Sequence, residues 1–204
     1  MITSGDGFGV DCDAEARTSI DPLRLLSMWV PPAGTSAPLL MGLSTIGQDG
    51  YPRLRHVLLS EFADGAVYFH TDSRSAKVAE IAANPRAAVS FAWPGLGKQF
   101  TLHGDVSRAD PAEETSVYQR RGRYLQLLAW LNTTDMAHLS ESERHTAWAQ
   151  FDAAHPILTP PAEWVGYRIV PKSITFWRGD PIGPSQRVRF TAGTDGWSCE
   201  VLPG

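Results

Sequence analysis

Between residues 37 and 109 five strand-like segments follow one another with little to separate them. "APLLMGLSTIG" and "PRLRHVLLSEF" are divided by "QDGYP", and "ADG" leads into "AVYFHT". "RAAVSFAWP" is joined to "KQFTLHGDVSRA" through "GLG". Linkers of Gly, Pro, Asp and Asn turn a chain back on itself, so such segments pair antiparallel. A helix interrupts the series at "DSRSAKVAEIAANP", with Asp72 or Ser73 as cap and Val78, Ile81 and Ala82 as its apolar stripe. Strands this closely spaced, with helices only in the connections, predict an α+β barrel.

The flanking regions fit that plan. "SIDPLRLLSMWV" reads as a helix with Asp21 as N-cap and Pro22 at the first helical position, ended by Pro31 and Pro32. "DPAEETSVYQRR" starts another helix in the same capped style, and residues 123–152 read as helical and tryptophan-rich. "PPAEWVGYRIVPKSITFWRGDP" returns to strands with a proline break, and "SQRVRFTAGTDGWSCEVL" closes as a hairpin. Residues 1–19 are polar and predict a partly disordered tail, leaving one domain over 20–204.

Composition excludes several functions. The chain has 204 residues, 43% apolar and 20% charged, with net charge −4, a balance that gives no support for binding nucleic acid or a membrane surface, either of which would want a basic face. No apolar run approaches the roughly 18 residues of a membrane span, and no signal pattern opens the chain, so a cytoplasmic location is expected. Cys12 and Cys199 stand alone, and the six histidines lack metal-ligand spacing, so no metal site is expected.

An anion site is the one chemical suggestion that spacing makes. In "YPRLRHVLLS", residues 51–60, a strand reading puts Arg53, Arg55, Val57 and Leu59 on one face. Leu54, His56, Leu58 and Ser60 fall on the other. Lys77 lies in the first turns of the helix that Ser73 and Ser75 begin, where free amides and the helix dipole favour a phosphate. An arginine fork, a lysine and helix-end donors suit a phosphomonoester. The competing reading pairs Arg55 and Lys77 with Glu61 or Asp72 as surface charges.

The order "PRLRHVLL", "VYFHTDSRSAKVAEIAANPRAAVSFAWPGLGKQ", "YRIVPKSITFWRGDP" and "RVRF…GW…LP" resembles the pyridoxamine 5′-phosphate oxidase family, from about residue 38 to the C-terminus. The resemblance implies a six- or seven-stranded antiparallel split β-barrel with peripheral helices. It implies a homodimer that binds flavin mononucleotide (FMN) between subunits. Arg55 matches the arginine on the FMN phosphate. Ser75 and Lys77 match two members of an "S-R-K" motif whose arginine is Ala76 here, with Arg74 as a substitute cation. Thr71 matches the family's threonine, and His70 replaces the tyrosine before it. Val57 and Leu58 would run beside the flavin ring and Gln99 would contact it. Trp177 and Arg187 would reach FMN from the other subunit. Thr134 and Asp135 occupy the place of a "Q-S" pair that touches the phosphate across the dimer.

The substrate side of the resemblance departs further. Ser60 stands where the family has a substrate-binding lysine. Gly183 and Ser185 occupy the arginine and histidine positions of "R-L-H-D-R". Tyr118 keeps the family's tyrosine, Arg121 or Arg123 would supply the arginine after it, and Leu125 replaces a serine. His56 and His70 lie beside the cleft, where packing or hydrogen bonding competes with acid–base use. Trp93, Trp130, Trp148 and Trp164 read as core or interface residues.

The resulting expectation is an FMN-dependent oxidase acting on a small substrate other than pyridoxamine phosphate, such as a secondary-metabolite intermediate, with dioxygen as acceptor. Alternatives are a genuine pyridoxamine/pyridoxine 5′-phosphate oxidase with a rearranged phosphate pocket, a split barrel binding the deazaflavin F420 or heme, and a non-enzymatic flavin-binding protein.

Overall fold

The computed structural model describes residues 21–30 and 39–204. The tail 1–19, Cys12 and Pro31–Pro32 lie outside the described residues. Helix α1 (Pro22–Trp29) begins as its sequence dictates: the Asp21 carboxylate accepts the Leu23 N–H at 2.9 Å and Pro22 takes the first turn. Its Leu25 and Leu26 are buried in the core, and the Trp29 ring meets Phe176 edge-on at 5.1 Å.

Strands β1 (Leu40–Ile46), β2 (Pro52–Leu58), β3 (Glu61–Ala63), β4 (Ala66–Asp72), β5 (Arg86–Trp93), β6 (Lys98–Arg108) and β7 (Trp164–Arg178) form a curled sheet in the order β2-β1-β5-β6-β7-β4-β3. Every pairing is antiparallel. The hairpin β8 (Gln186–Gly193) and β9 (Gly196–Pro203) pairs onto β7. On one edge of β7 the first half bonds β4 and the second half bonds β8, so the sheet forks there.

The expected proline break is absent: β7 runs through Pro171 as a strand of 15 residues. The pairing with β6 slips between His103 and Gly104, and Pro171 falls opposite Gly104 in this irregularity. A bulge tolerates a residue without an amide hydrogen. A Cβ at Gly104 would lie 1.9 Å from the Val170 carbonyl oxygen, so no larger residue fits.

Alternation sets the core. In β5, Ala87, Val89 and Phe91 are buried while Arg86, Ala88, Ser90 and Ala92 are exposed. Phe91, Phe100 and Phe176 meet across β5, β6 and β7, with ring centroids 4.7 and 6.1 Å apart. Truncating the fully buried Phe100 to alanine would cost about 3–5 kcal/mol. At the β3–β4 turn, Asp64 and Gly65 have φ of 50° and 71°, the left-handed pair that suits a two-residue hairpin.

Three other expectations are corrected. The strand predicted over residues 52–62 ends at Leu58, and β3 starts separately, because Ser60 turns to give its amide to the Tyr68 carbonyl. Helix α2 (Ala76–Ala83) starts later than expected, with Ser75 at the N-cap position and no side-chain cap bond, while Asp72 is committed to the Arg74 amide and guanidinium. After α3 (Pro111–Arg120), the region 123–152 divides into α4 (Arg123–Leu131), α5 (Thr134–His138) and α6 (Glu141–Ala154), with Thr133 and Ser140 capping the last two.

Candidate functional site

Strands β2 and β4, helices α2 and α4, and the start of β7 enclose a cavity of about 300 Å³. Val57, Leu58, Leu125, Leu128 and Ala129 give it apolar walls, while Thr71, Ser75, Lys77 and Arg121 bring polar groups. Its two cations, Lys77 and Arg121, stand at separate poles, and the Asp72 and Glu163 carboxylates line it as well.

At the first pole Lys77 donates to the Thr71 and Ser75 hydroxyls at 2.9 and 3.0 Å. Burial, and then the nearby positive charge of Arg55, push the Lys77 ammonium below its usual range. The Ser75 hydroxyl faces Thr71 and Lys77 and does not cap α2; the Val78 amide is taken by the Ser75 carbonyl at 2.9 Å, which leaves the Ala76 and Lys77 amides at the helix start to face an anion. A half-buried ammonium held only by hydroxyls, beside an open helix start, fits a flavin phosphate.

Arg55 stands behind this pole. Its guanidinium pairs with Glu80 at 2.5 Å, and it donates to Thr45 at 2.5 Å and to the Leu43 carbonyl at 3.3 Å. Thr45 donates to the same Glu80 carboxylate. Burial raises the Glu80 carboxyl, but the hydrogen bonds from Thr45 and Arg55 and the arginine charge outweigh it and hold the group below its usual range. The expected surface pairings go elsewhere: Glu61 pairs with Arg120 and Asp72 with Arg74.

The second pole is Arg121. Its guanidinium lies 4.3 Å from the centre of the Trp164 ring, and burial pushes its pKa down to about 10. Arg123 is occupied by Asp152 and the His155 carbonyl. Of the two arginines that sequence left open, Arg121 lines the cavity. Tyr118 lies fully buried behind it, its hydroxyl donating to the Gln126 carbonyl and accepting from Trp130.

His70 also lines the cavity; its Nδ1 is 2.7 Å from the Ser60 hydroxyl and its Nε2 is 3.2 Å from Glu113. The His70 side chain is fully buried and stacks on Trp164 at 5.0 Å. Burial, reinforced by Arg121 and Arg120, drives its pKa down to about 3. Burial, with Glu61 and Glu114 adding negative charge, lifts the Glu113 carboxyl to about 7. Gly166 makes room for this ring, because a Cβ there would lie 2.7 Å from His70 Nε2.

The remaining candidates sit elsewhere. Gln99, Trp177 and Arg187 form one row across β6, β7 and β8, outside the lining of this cavity. His56 is exposed on β2 opposite Gly42. Gly183 and Ser185 lie in the loop before β8. Arg74, Ser75, Thr134 and Asp135 of the same chain line a neighbouring cavity of about 340 Å³. Sequence reading missed Glu80, Glu113 and the role of Trp164. Glu80 follows Lys77 by three positions on one helix, which is a usable signal. The other two are brought in only by the pairing of β4 with β7 and the packing of α3. Among the described residues no cluster of His, Cys, Asp or Glu could hold a metal, and no helix is long and apolar enough to cross a membrane.

The sequence model of pyridoxamine 5′-phosphate oxidase matches residues 33–155, and that of the pyridoxine 5′-phosphate oxidase C-terminal dimerisation region matches residues 164–203. A pyridoxine/pyridoxamine 5′-phosphate oxidase of Chromobacterium violaceum is 36% identical over 94% of this chain and 90% of its own length. One from Pseudomonas paraeruginosa is 32% identical over 93% and 91%. PhzG of Burkholderia lata, solved with tetrahydrophenazine-1-carboxylic acid, superposes with a TM-score of 0.76 at 22% identity, covering 90% of this chain and 93% of its own. An FMN-binding, pyridoxamine 5′-phosphate oxidase-related protein of Nostoc punctiforme gives 0.64 at 18% identity over 81% and 88%. The forked antiparallel sheet is the split barrel of these neighbours, and the two sequence matches together span nearly all of the described residues. The chain is a member of the pyridoxamine 5′-phosphate oxidase family, whose members are flavin-binding oxidoreductases.

Proposed function

We propose that this protein is a homodimeric, FMN-dependent oxidoreductase that oxidises a small carboxylate-bearing substrate other than pyridoxamine 5′-phosphate, with dioxygen as acceptor. The observation that carries the reading is the cavity with two separate cationic poles. Lys77, with Thr71, Ser75 and the start of α2, suits the dianionic phosphate of FMN. Arg121 then remains for an anion on the substrate. Bound FMN would supply the two-electron acceptor. Val57 and Leu58 offer an apolar edge beside it, and the dimerisation match supports a second subunit bringing the Gln99–Trp177–Arg187 row to a shared site.

The substrate pole favours a carboxylate over a phosphate ester. Phosphate dianions are held by several charge-assisted donors, each contributing about 1.5–3 kcal/mol. Here Arg120 and Arg123 are committed to Glu61 and Asp152, Ser60 to His70, and Leu125 offers nothing polar. A single planar guanidinium matches a carboxylate. An aromatic carboxylate of secondary metabolism meets both the charge and the apolar walls. A second reading, a pyridoxine/pyridoxamine 5′-phosphate oxidase built on Arg121 alone, is favoured by the names of the relatives.

The deciding experiment reconstitutes the protein with FMN and follows anaerobic flavin bleaching with reduced aromatic carboxylates and with pyridoxamine 5′-phosphate. Bleaching by a carboxylate and none by the phosphate ester is expected. Efficient turnover of micromolar pyridoxamine 5′-phosphate establishes the second reading instead, and failure to take up FMN overturns both.

A further inference from the structure

We propose that Ser60, His70 and Glu113 form a proton relay that begins at the Ser60 hydroxyl, next to the cavity that His70 lines, and ends at the half-buried Glu113 carboxyl. It rests on the oxidative reading above, but its geometry stands by itself.

Ser60 is half-buried, held by its amide hydrogen bond to the Tyr68 carbonyl two residues beyond the wall residue Leu58, and its hydroxyl partner His70 itself lines the cavity. Its hydroxyl meets His70 Nδ1 at 2.7 Å, and His70 Nε2 meets Glu113 Oε2 at 3.2 Å. The other Glu113 oxygen, Oε1, is buried with no hydrogen-bond partner in the protein. Trp164 stacks on the imidazole, and Gly166 admits its Nε2 edge. A ring placed so tightly serves the line between two oxygens.

A neutral imidazole donates from one nitrogen and accepts at the other. With Glu113 ionised, Nε2–H donates to the carboxylate and Nδ1 accepts the Ser60 hydroxyl hydrogen. Ser60 then offers the cavity only its lone pairs. With Glu113 protonated, the carboxyl donates to Nε2, Nδ1–H donates to Ser60, and the serine hydrogen is free to point elsewhere. The two arrangements differ by one proton.

The oxidation of a H–C–X–H unit, with X nitrogen or oxygen, uses that difference. X loses a proton to Ser60, while FMN, when bound, would supply the two-electron acceptor for the hydride on carbon. The serine proton passes to Nδ1 and the Nε2 proton to Glu113, leaving C=X, a flavin reduced by two electrons and a neutral carboxyl. Charges around the relay suit it. Arg120 and Arg121 oppose an imidazolium at His70, while Glu61, Glu114 and Asp110 raise the Glu113 carboxyl against Arg120.

The test is an imidazole-nitrogen NMR titration of the full chain loaded with FMN, from pH 5 to 9 on the scale of ordinary histidine titrations. The expected result is one step near neutral pH in which the His70 hydrogen moves between Nε2 and Nδ1 without an imidazolium appearing. Glu113→Gln abolishes the step. Ser60→Ala lowers its midpoint by about one pH unit, because a buried Nδ1–H without an acceptor disfavours the protonated-Glu113 state. A tautomer unchanged across the range, an imidazolium forming within it, or a step that survives Glu113→Gln overturns the proposal. A midpoint unmoved by Ser60→Ala also overturns it, by removing the cavity end. The titration needs no turnover, so a chain that fails to oxidise any substrate sinks the oxidative reading while the same spectra still decide the relay.

Discussion

The imidazole of His70 lies nearly parallel to the indole of Trp164, with ring centroids 5.0 Å apart and planes 11° from parallel. The same indole carries the Arg121 guanidinium at 4.3 Å. One aromatic side chain therefore supports both the neutral ring of the proposed relay and the cation of the proposed substrate pole. A guanidinium on an aromatic face keeps its charge without a carboxylate partner. The price is desolvation, which an anionic ligand would relieve.

Arg121→Gln is expected to weaken an aromatic carboxylate ligand about ten- to a hundredfold, the worth of one lost charge-assisted contact. FMN affinity should stay within about twofold of the parent, since the proposed seat of its phosphate is the other pole. Calorimetric titration of both ligands checks this. Equal loss of both would mean that the two poles are one site.

Lys77→Gln is expected to act in the opposite sense. FMN binding, followed by quenching of flavin fluorescence, should weaken about ten- to a hundredfold. Riboflavin, which lacks the phosphate, should bind parent and variant alike. A parallel loss of riboflavin would place Lys77 against the ring system.

Much of this was legible in the sequence. Asp21 and Pro22 start α1 as their residue types require, and strict alternation in "RAAVSFAW" marks β5 and its buried face. Ser75 and Lys77 follow from local spacing and Thr71 only from the family resemblance, and in the fold Lys77 donates to both hydroxyls. What escaped was set by tertiary pairing. Arg55 ignores both acids proposed for it and takes Glu80, because β2 and α2 face each other across β1. Trp164 carries no local mark of its role. It acquires one when β4 and β7 align Asp72 with Trp164 and His70 with Gly166. Pro171 misled because periodicity gives no sign of the slip at Gly104 that accommodates it.

Glu80→Ala would leave the Arg55 guanidinium without its carboxylate in a site where the paired side chains are 23% and 11% exposed. The expected cost is about 2–3 kcal/mol, seen as a lower urea midpoint with the same slope. The pH dependence follows from the depressed carboxyl. Its contribution is complete above the ordinary glutamate value of 4.5 and is lost as pH falls through the lower folded value. The variant should therefore lack part of the parent's acid loss. An acid limb unchanged in the variant would show that the pair does not stabilise the fold.

His70 and Glu113 make a sharper prediction, because their shifts oppose each other. His70 titrates at about 3 in the fold against 6.5 when unfolded, and Glu113 at about 7 against 4.5. Between pH 4.5 and 6.5 the folded chain holds its proton on Glu113, while the unfolded chain holds one on the histidine. The two states then bind equal numbers of protons, and the pair adds no slope to stability. Glu113→Gln removes one side of that balance. The unfolded state alone then takes up a proton below pH 6.5, and stability falls with acidification by about 1.4 kcal/mol per pH unit. His70→Gln removes the other side, so the folded state alone is protonated between 4.5 and 7 and stability falls as pH rises. Urea unfolding of the two variants across this range should give slopes of opposite sign around a flat parent. A flat profile in either variant would mean that its remaining group titrates normally in the fold, and slopes of the same sign would mean that one of the two shifts runs the other way.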